Sequence, residues 1–249
     1  MRKMKWIIKG VVPVCLMAGG QGYAGENCCT QETLLDVNKV SSGNHMYVVI
    51  TPRAQVRVLY TCQEAPSPAQ GVLLSVAAAF TGDDLITVCG DHVEKGLLFK
   101  GYDDVTATGH LLSVGGRVKI LSNDSLRQSI DEAIREKGCL FQQCYIVENG
   151  VSQVNRIPQA ILDRRAHIIY RAACVMRNGA FAVVQGIDDQ YPEEFVQGLV
   201  DMGVQDALYL DMGTWAYGWY RTSCSGPVTE LSERFANTAH QSNWLYFGF

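Results

Sequence analysis

EEFVQGLVDMGVQDALYLDMGTWAYGWYR, running from Glu193 to Arg221, decides how this chain is read. Pro192 precedes it at a first helical position, where a missing N–H costs nothing, and apolar residues continue to the helix-ending Gly203. Ala207 to Leu210 then reads as a short buried strand that delivers Asp211 into a turn rich in glycine and aromatic rings. An acid at the end of an apolar strand stands where open sheets commonly place their chemistry. The competing reading is that Asp211 only caps the turn.

Working outward, Arg165 to Met176 and Ala180 to Gln185 form a hairpin about Arg177-Asn178-Gly179, because Asn-Gly accepts the positive φ of a tight turn. Arg171 lies inside the first of these strands. A buried guanidinium must be paired, either in a structural ion pair or as a fork for phosphate oxygens. Further upstream, His110 to Val114 and Arg117 to Leu121 flank Gly115-Gly116, a second hairpin signal. Ser125 and Gln128 have the spacing of a capping box for a helix that Gly138 ends. Gly71 to Phe80, GVLLSVAAAF, suits a strand buried on both faces. His45 to Thr51, Gln55 to Cys62 and Cys144 to Glu148 read as further strands, and Asn243 to Phe247 as a closing strand. Residues 25–43 read as a loose leader. These elements predict a single α+β domain: one bent, mostly antiparallel sheet with the helices near Ser125 and Pro192 packed on it.

The 249 residues are 47% hydrophobic and 18% charged, the balance of a globular chain, and a net charge of -4 gives no attraction for nucleic acid or an anionic membrane. Arg2, Lys3 and Lys5, the apolar run Gly10 to Met17 and the small-residue site Gly22-Tyr23-Ala24 predict an export signal over residues 1–24. The domain is then 25–249, exported, with no stable membrane insertion. In an oxidising compartment Cys28, Cys29, Cys62, Cys89, Cys139, Cys144, Cys174 and Cys224 can form disulfides. Cys139 and Cys144 are the closest well-separated pair, and they join only if the chain turns back between them. No CxxC pair or histidine cluster suggests a metal, and GxSxG, HExxH and P-loop motifs are missing.

The run YRAACVMRNGAFAVVQG from Tyr170, followed by EEFVQGLVDMGVQDALYLDMGTW, resembles the phosphodiester glycosidase family. Arg171 falls on the family arginine, Gln185-Gly186 on its DG loop and Asp211 on the acid of its DGGGS motif. SVAAAFTGDD is a weaker match to the family's NGGFF strand, with Ala77 in place of the asparagine. The resemblance implies hydrolysis of a sugar–phosphodiester with no cofactor. Arg171 and Asp211 would be catalytic, and Thr81, Gly82, Gly186, Gly213, Thr214 and Trp215 would contact substrate. Met212, Trp215, Ala77 and Gln185 depart from the family pattern. They leave open a catalytically silent glycan- or phosphosugar-binding domain.

Other candidates are weaker. Asp83-Asp84 and Asp103-Asp104 are loop acids that suit acid–base work, a hard cation or simple solvation. His92 and His110 read as surface imidazoles. The rings of Trp215, Tyr217, Trp219 and Tyr220 suit either core packing or a glycan-facing wall.

Overall fold

The computed structural model describes residues 32–159, 169–212, 217–232, 234 and 236–249. Numbered along the chain, the first strands are β1 (Leu35–Ser42), β2 (His45–Pro52), β3 (Arg57–Thr61), β4 (Leu74–Ala77), β5 (His92–Glu94) and β6 (Leu97–Phe99). Next come β7 (Gly109–Val114), β8 (Arg117–Ser122), helix α1 (Leu126–Arg135), β9 (Cys139–Gln143), β10 (Tyr145–Glu148) and β11 (Val151–Ser152). After these come β12 (Arg171–Met176), β13 (Phe181–Gly186), helix α2 (Pro192–Asp201), β14 (Val204–Tyr209), β15 (Gly218–Tyr220), β16 (Thr229–Glu230) and β17 (Trp244–Gly248).

The strands form three sheets, ordered β1-β2-β13-β12-β14-β10-β11, β16-β15-β4-β17-β3 and β6-β5-β9-β7-β8. Every pairing between these strands is antiparallel. The α+β expectation of one bent sheet under helices is therefore wrong. This is a β-rich fold whose sheets bury one another, with only two ten-residue helices among the described residues. The physical reason lies in strands that are apolar on both sides. Ala173, Val183 and Leu208 of the seven-stranded sheet, with Leu210 just past β14, pack with Leu74, Val76, Leu245 and Phe247 of the second sheet. The residues between them, Ala172, Cys174, Val184 and Ala207, pack on the other side with Phe195, Val196 and Leu199 of α2.

Several local readings hold. Gly115 and Gly116 both have positive φ and join β7 to β8, with Val114 opposite Arg117. β12 and β13 pair about Asn178-Gly179, where Gly179 takes the positive φ and donates to Met176 O at 2.8 Å. Glu194 Oε2 accepts from Tyr191 N at 2.9 Å at the start of α2. β17 closes the second sheet between β3 and β4.

Others do not hold. Within the supposed leader, Leu35–Ser42 is an edge strand paired along its whole length with β2. Polar residues at its exposed positions hid the alternation. Ser125 makes no side-chain cap. Ser122 Oγ instead accepts from Asp124 N at 3.3 Å, one turn earlier. Lys137, not Gly138, adopts positive φ after α1. Cys139 and Cys144 bracket the extended β9 and are free thiols, as are Cys62, Cys89 and Cys174, whereas Cys224 is disulfide-bonded. No helix among the described residues is long and apolar enough to cross a membrane. The predicted export signal lies outside the described residues.

Packing of α2 gives a direct test. A Cβ built on Gly198 falls 2.1 Å from Tyr47 Oη, and that hydroxyl donates to Gln190 Oε1 at 2.8 Å. Tyr47 is fully buried and has nowhere to retreat. Gly198→Ala is expected to destabilise the protein by about 1–3 kcal/mol, the usual range for overpacking. Adding Tyr47→Phe should recover part of the loss, as read by thermal unfolding.

Candidate functional site

The pocket is assembled on the run that follows β4. Ala78 O accepts from Asp211 N at 2.9 Å, so the end of the β14 segment is tied to the continuation of β4. On its other side Asn243 clamps residue 79: Ala79 N donates to Asn243 Oδ1 at 2.7 Å, and Asn243 Nδ2 donates to Ala79 O at 3.0 Å. Asn243 is 1% exposed, and no local pattern in the sequence marks it for this work.

Beyond Phe80 the chain turns through residues 82–87 and returns to pair Val88 with Thr81. Asp84 closes this turn, accepting from Ile86 N at 3.0 Å and Thr87 N at 2.8 Å. The Thr87 hydroxyl, followed by these two backbone donors, holds its carboxyl below the usual range. A bridge between Cys89 and Tyr102 brings in the next wall. A Cβ on Gly101 would lie 2.1 Å from Gly90 O and 2.3 Å from Val88 O, so only glycine lets Tyr102 approach this way.

The result is a pocket of about 410 Å³. Thr81, Gly82, Asp83, Tyr102, Asp104 and Asp211 line it, with Met212 and Phe80 as apolar wall. Burial pushes the Asp211 carboxyl up to about 7, partly offset by a backbone hydrogen bond at Met212. A carboxyl that exchanges its proton near neutrality suits general acid or base work. Asp104 is oriented by Thr106, whose N and Oγ1 each donate to Asp104 Oδ1 at 2.8 Å. Neither Asp83-Asp84 nor Asp103-Asp104 works as a unit: one acid of each pair reaches the pocket. No group of three or more His, Cys, Asp or Glu among the described residues is placed to hold a metal ion.

Arg171 is elsewhere. Its strand is the neighbour of β14, and its carbonyl accepts from Leu210 N at 3.0 Å. Its side chain, however, is fully buried between the first two sheets and does not line the Asp211 pocket. Nε donates to Gln185 Oε1 at 2.7 Å, and Gln185 Nε2 donates to Leu231 O at 2.6 Å. The guanidinium also lies against Gly218, where a Cβ would come within 3.0 Å of Nη2. Burial pushes its pKa down to about 9. Gly186 ends β13 against Gln190, also away from the pocket. Gly213, Thr214 and Trp215 lie outside the described residues. Thus Thr81, Gly82 and Asp211 come together, while Arg171 and Gly186 do not join them.

Both histidines are buried, contrary to the surface reading. His92 Nδ1 faces Gly90 O at 3.1 Å, with its ring stacked on Phe99 at 5.6 Å, and His110 Nδ1 faces Asn123 Oδ1 at 3.2 Å. Burial lowers both pKa values, that of His110 to about 4.

No family model matches this sequence, and no curated protein matches it. The fold is similar to a zebrafish enzyme domain, the N-acetylglucosamine-1-phosphodiester alpha-N-acetylglucosaminidase catalytic domain auto-inhibited by its pro-peptide. The TM-score is 0.58 at 11% identity, covering 88% of this chain and 83% of that one. A hypothetical protein from Synechocystis is similar with a TM-score of 0.54 at 11% identity, covering 86% of this chain and 61% of that one. At such identities the likeness is one of fold.

Proposed function

We propose that this protein is an exported hydrolase that cleaves the bond between a sugar and a phosphodiester, working at the pocket built on Asp211. The observation that carries the reading is a half-buried carboxyl with its pKa near 7, opening into a lined pocket at the end of a strand. Likeness in fold to a phosphodiester glycosidase domain supports the same reaction class.

Ionised Asp211 would activate water for attack on the anomeric carbon. Asp83 and Asp104 add negative potential, which favours the positive charge that develops on a sugar ring in an oxocarbenium-like transition state. Cleavage at the anomeric carbon turns the diester into a phosphomonoester, which departs as a stabilised anion, so the leaving group needs no acid. Arg171 acts as a positioning residue. It anchors the strand whose carbonyl holds Leu210, the residue before Asp211.

The test is release of free sugar from a panel of sugar-1-phosphodiesters, N-acetylglucosamine included. Because a base must be deprotonated, the rate should fall as pH drops below about 7. Absence of release across the panel would count against the hydrolase. A second reading, a silent phosphosugar-binding domain, is favoured by one observation: among the described residues Arg171 donates to Gln185, and neither lines the Asp211 pocket. Saturable binding of the same esters without turnover would establish it.

A further inference from the structure

We propose that a groove on the outer face of the second sheet binds an uncharged glycan chain, apart from the Asp211 pocket and independently of the hydrolase reading. The pleat decides which side chains face it. Val76 lies opposite both Gly218 and Leu245, and Val76 and Leu245 are fully buried in the core between the sheets. Their neighbours one step along therefore face the other way: Trp219 opposite Ser75, and Trp244 opposite Ala77. On that side lies a groove of about 570 Å³, a volume that suits a small ligand rather than a protein surface.

Three rings, Tyr217, Trp219 and Trp244, line the groove together with Ser67, Ser75 and Gln241. Apolar ring faces beside hydroxyls and an amide match a sugar, which presents apolar C–H faces and a rim of hydroxyl groups. Charge selects further. Arg234 also lines the groove, but its guanidinium sits over the Tyr217 ring at 4.2 Å, donates to Tyr217 Oη at 2.6 Å and lies 3.8 Å from Glu230. The Tyr217 ring face and the Glu230 carboxylate both answer this charge in part, which lowers the preference of the groove for an anionic ligand. Tyr217 is thereby fixed in place before a ligand arrives, which lowers the ordering cost of binding.

The experiment is calorimetric titration of the full chain with soluble hexasaccharides of N-acetylglucosamine, glucose, mannose and xylose. Saturable binding of at least one is expected. Trp244→Ala and Tyr217→Ala should each weaken it at least tenfold, and Asp211→Asn should leave it within twofold. Each variant is checked by its thermal transition. Tyr217, at the groove margin, keeps the test valid if Trp244→Ala fails to fold. No saturable binding by any hexasaccharide would overturn the proposal, as would binding that survives both ring substitutions. Saturation by a proline-rich decapeptide in place of the glycans, with the same dependence on the rings, would overturn it too. Sugar release from phosphodiesters is scored separately, so failure of one site leaves the other standing.

Discussion

Asp211→Asn is expected to cut turnover by about a hundredfold or more and yet stabilise the protein at neutral pH. Removing a general base typically lowers the rate about a hundredfold to ten-thousandfold. The stability effect follows from proton linkage. The folded pKa of Asp211 is about 7 against an ordinary 3.8, so the folded state binds the proton more tightly than the unfolded chain does. Stability therefore falls as pH rises from about 4 to 7, and the whole cost of ionising Asp211 is present above that range. At 1.36 kcal/mol per pKa unit the upper bound is roughly 4 kcal/mol. The carboxyl is partly exposed at the pocket wall, so a gain of about 2 kcal/mol is the working expectation.

His110 runs the other way. Its folded pKa is about 4 against 6.5, so its contribution is complete above pH 6.5 and is lost as pH falls to about 4, on the order of 3 kcal/mol. Over pH 4 to 7 the two slopes oppose each other, and the native protein should show a shallow profile. The Asn variant loses one slope and should gain stability steadily from pH 4 to 6.5. Urea unfolding at pH 4.5, 5.5, 6.5 and 7.5 reads both effects. An Asn variant no more stable than the native protein at pH 7.5 would remove the argument that Asp211 is held ready at a cost in stability.

The second large effect concerns Arg171. Truncation to Ala opens a cavity between the first two sheets and strips Gln185 Oε1 of the Arg171 donor, in a place water does not reach. Leaving a buried neutral acceptor unpaired costs about 1–3 kcal/mol, and the cavity adds its own penalty of about 2–5 kcal/mol. The double variant Arg171→Met with Gln185→Met replaces both partners with apolar groups of similar length. It is expected to lose less than the sum of the single Met substitutions, because the two residues share one interaction. Denaturant midpoints measure the cycle. Simple additivity would mean that the Nε–Oε1 contact contributes nothing. If Arg171→Ala instead keeps native stability and loses only sugar release, the arginine belongs to the chemistry rather than to the strand.

How far the site was legible in the sequence can be judged from Asp211 and Arg171. Asp211 stood out because an acid directly after an apolar strand is unusual, and the structure puts it in a pocket with a raised pKa. Arg171 stood out for a similar reason, a guanidinium within an apolar run. Alternation along a strand gives the two faces of a sheet but not what covers each, and the guanidinium turned out to be enclosed by the second sheet. Asn243 and Tyr102 shape the pocket from segments with no local signal, since each matters through a partner elsewhere along the chain.

The sequence by itself determined the features governed by neighbouring residues. These are the two glycine hairpins, the helix start at Pro192, the buried character of the β4 run and the closing strand β17. Each rests on a φ preference or a period of two, which act over a few residues. Tertiary structure alone decided that there are three sheets rather than one, that β1 is a strand, and that residues 80–83, 102–106 and 211–212 share a pocket. Those outcomes depend on which strand edges pair and which apolar faces meet. That choice is set by burial summed over the whole chain, and local conformational preference does not encode it.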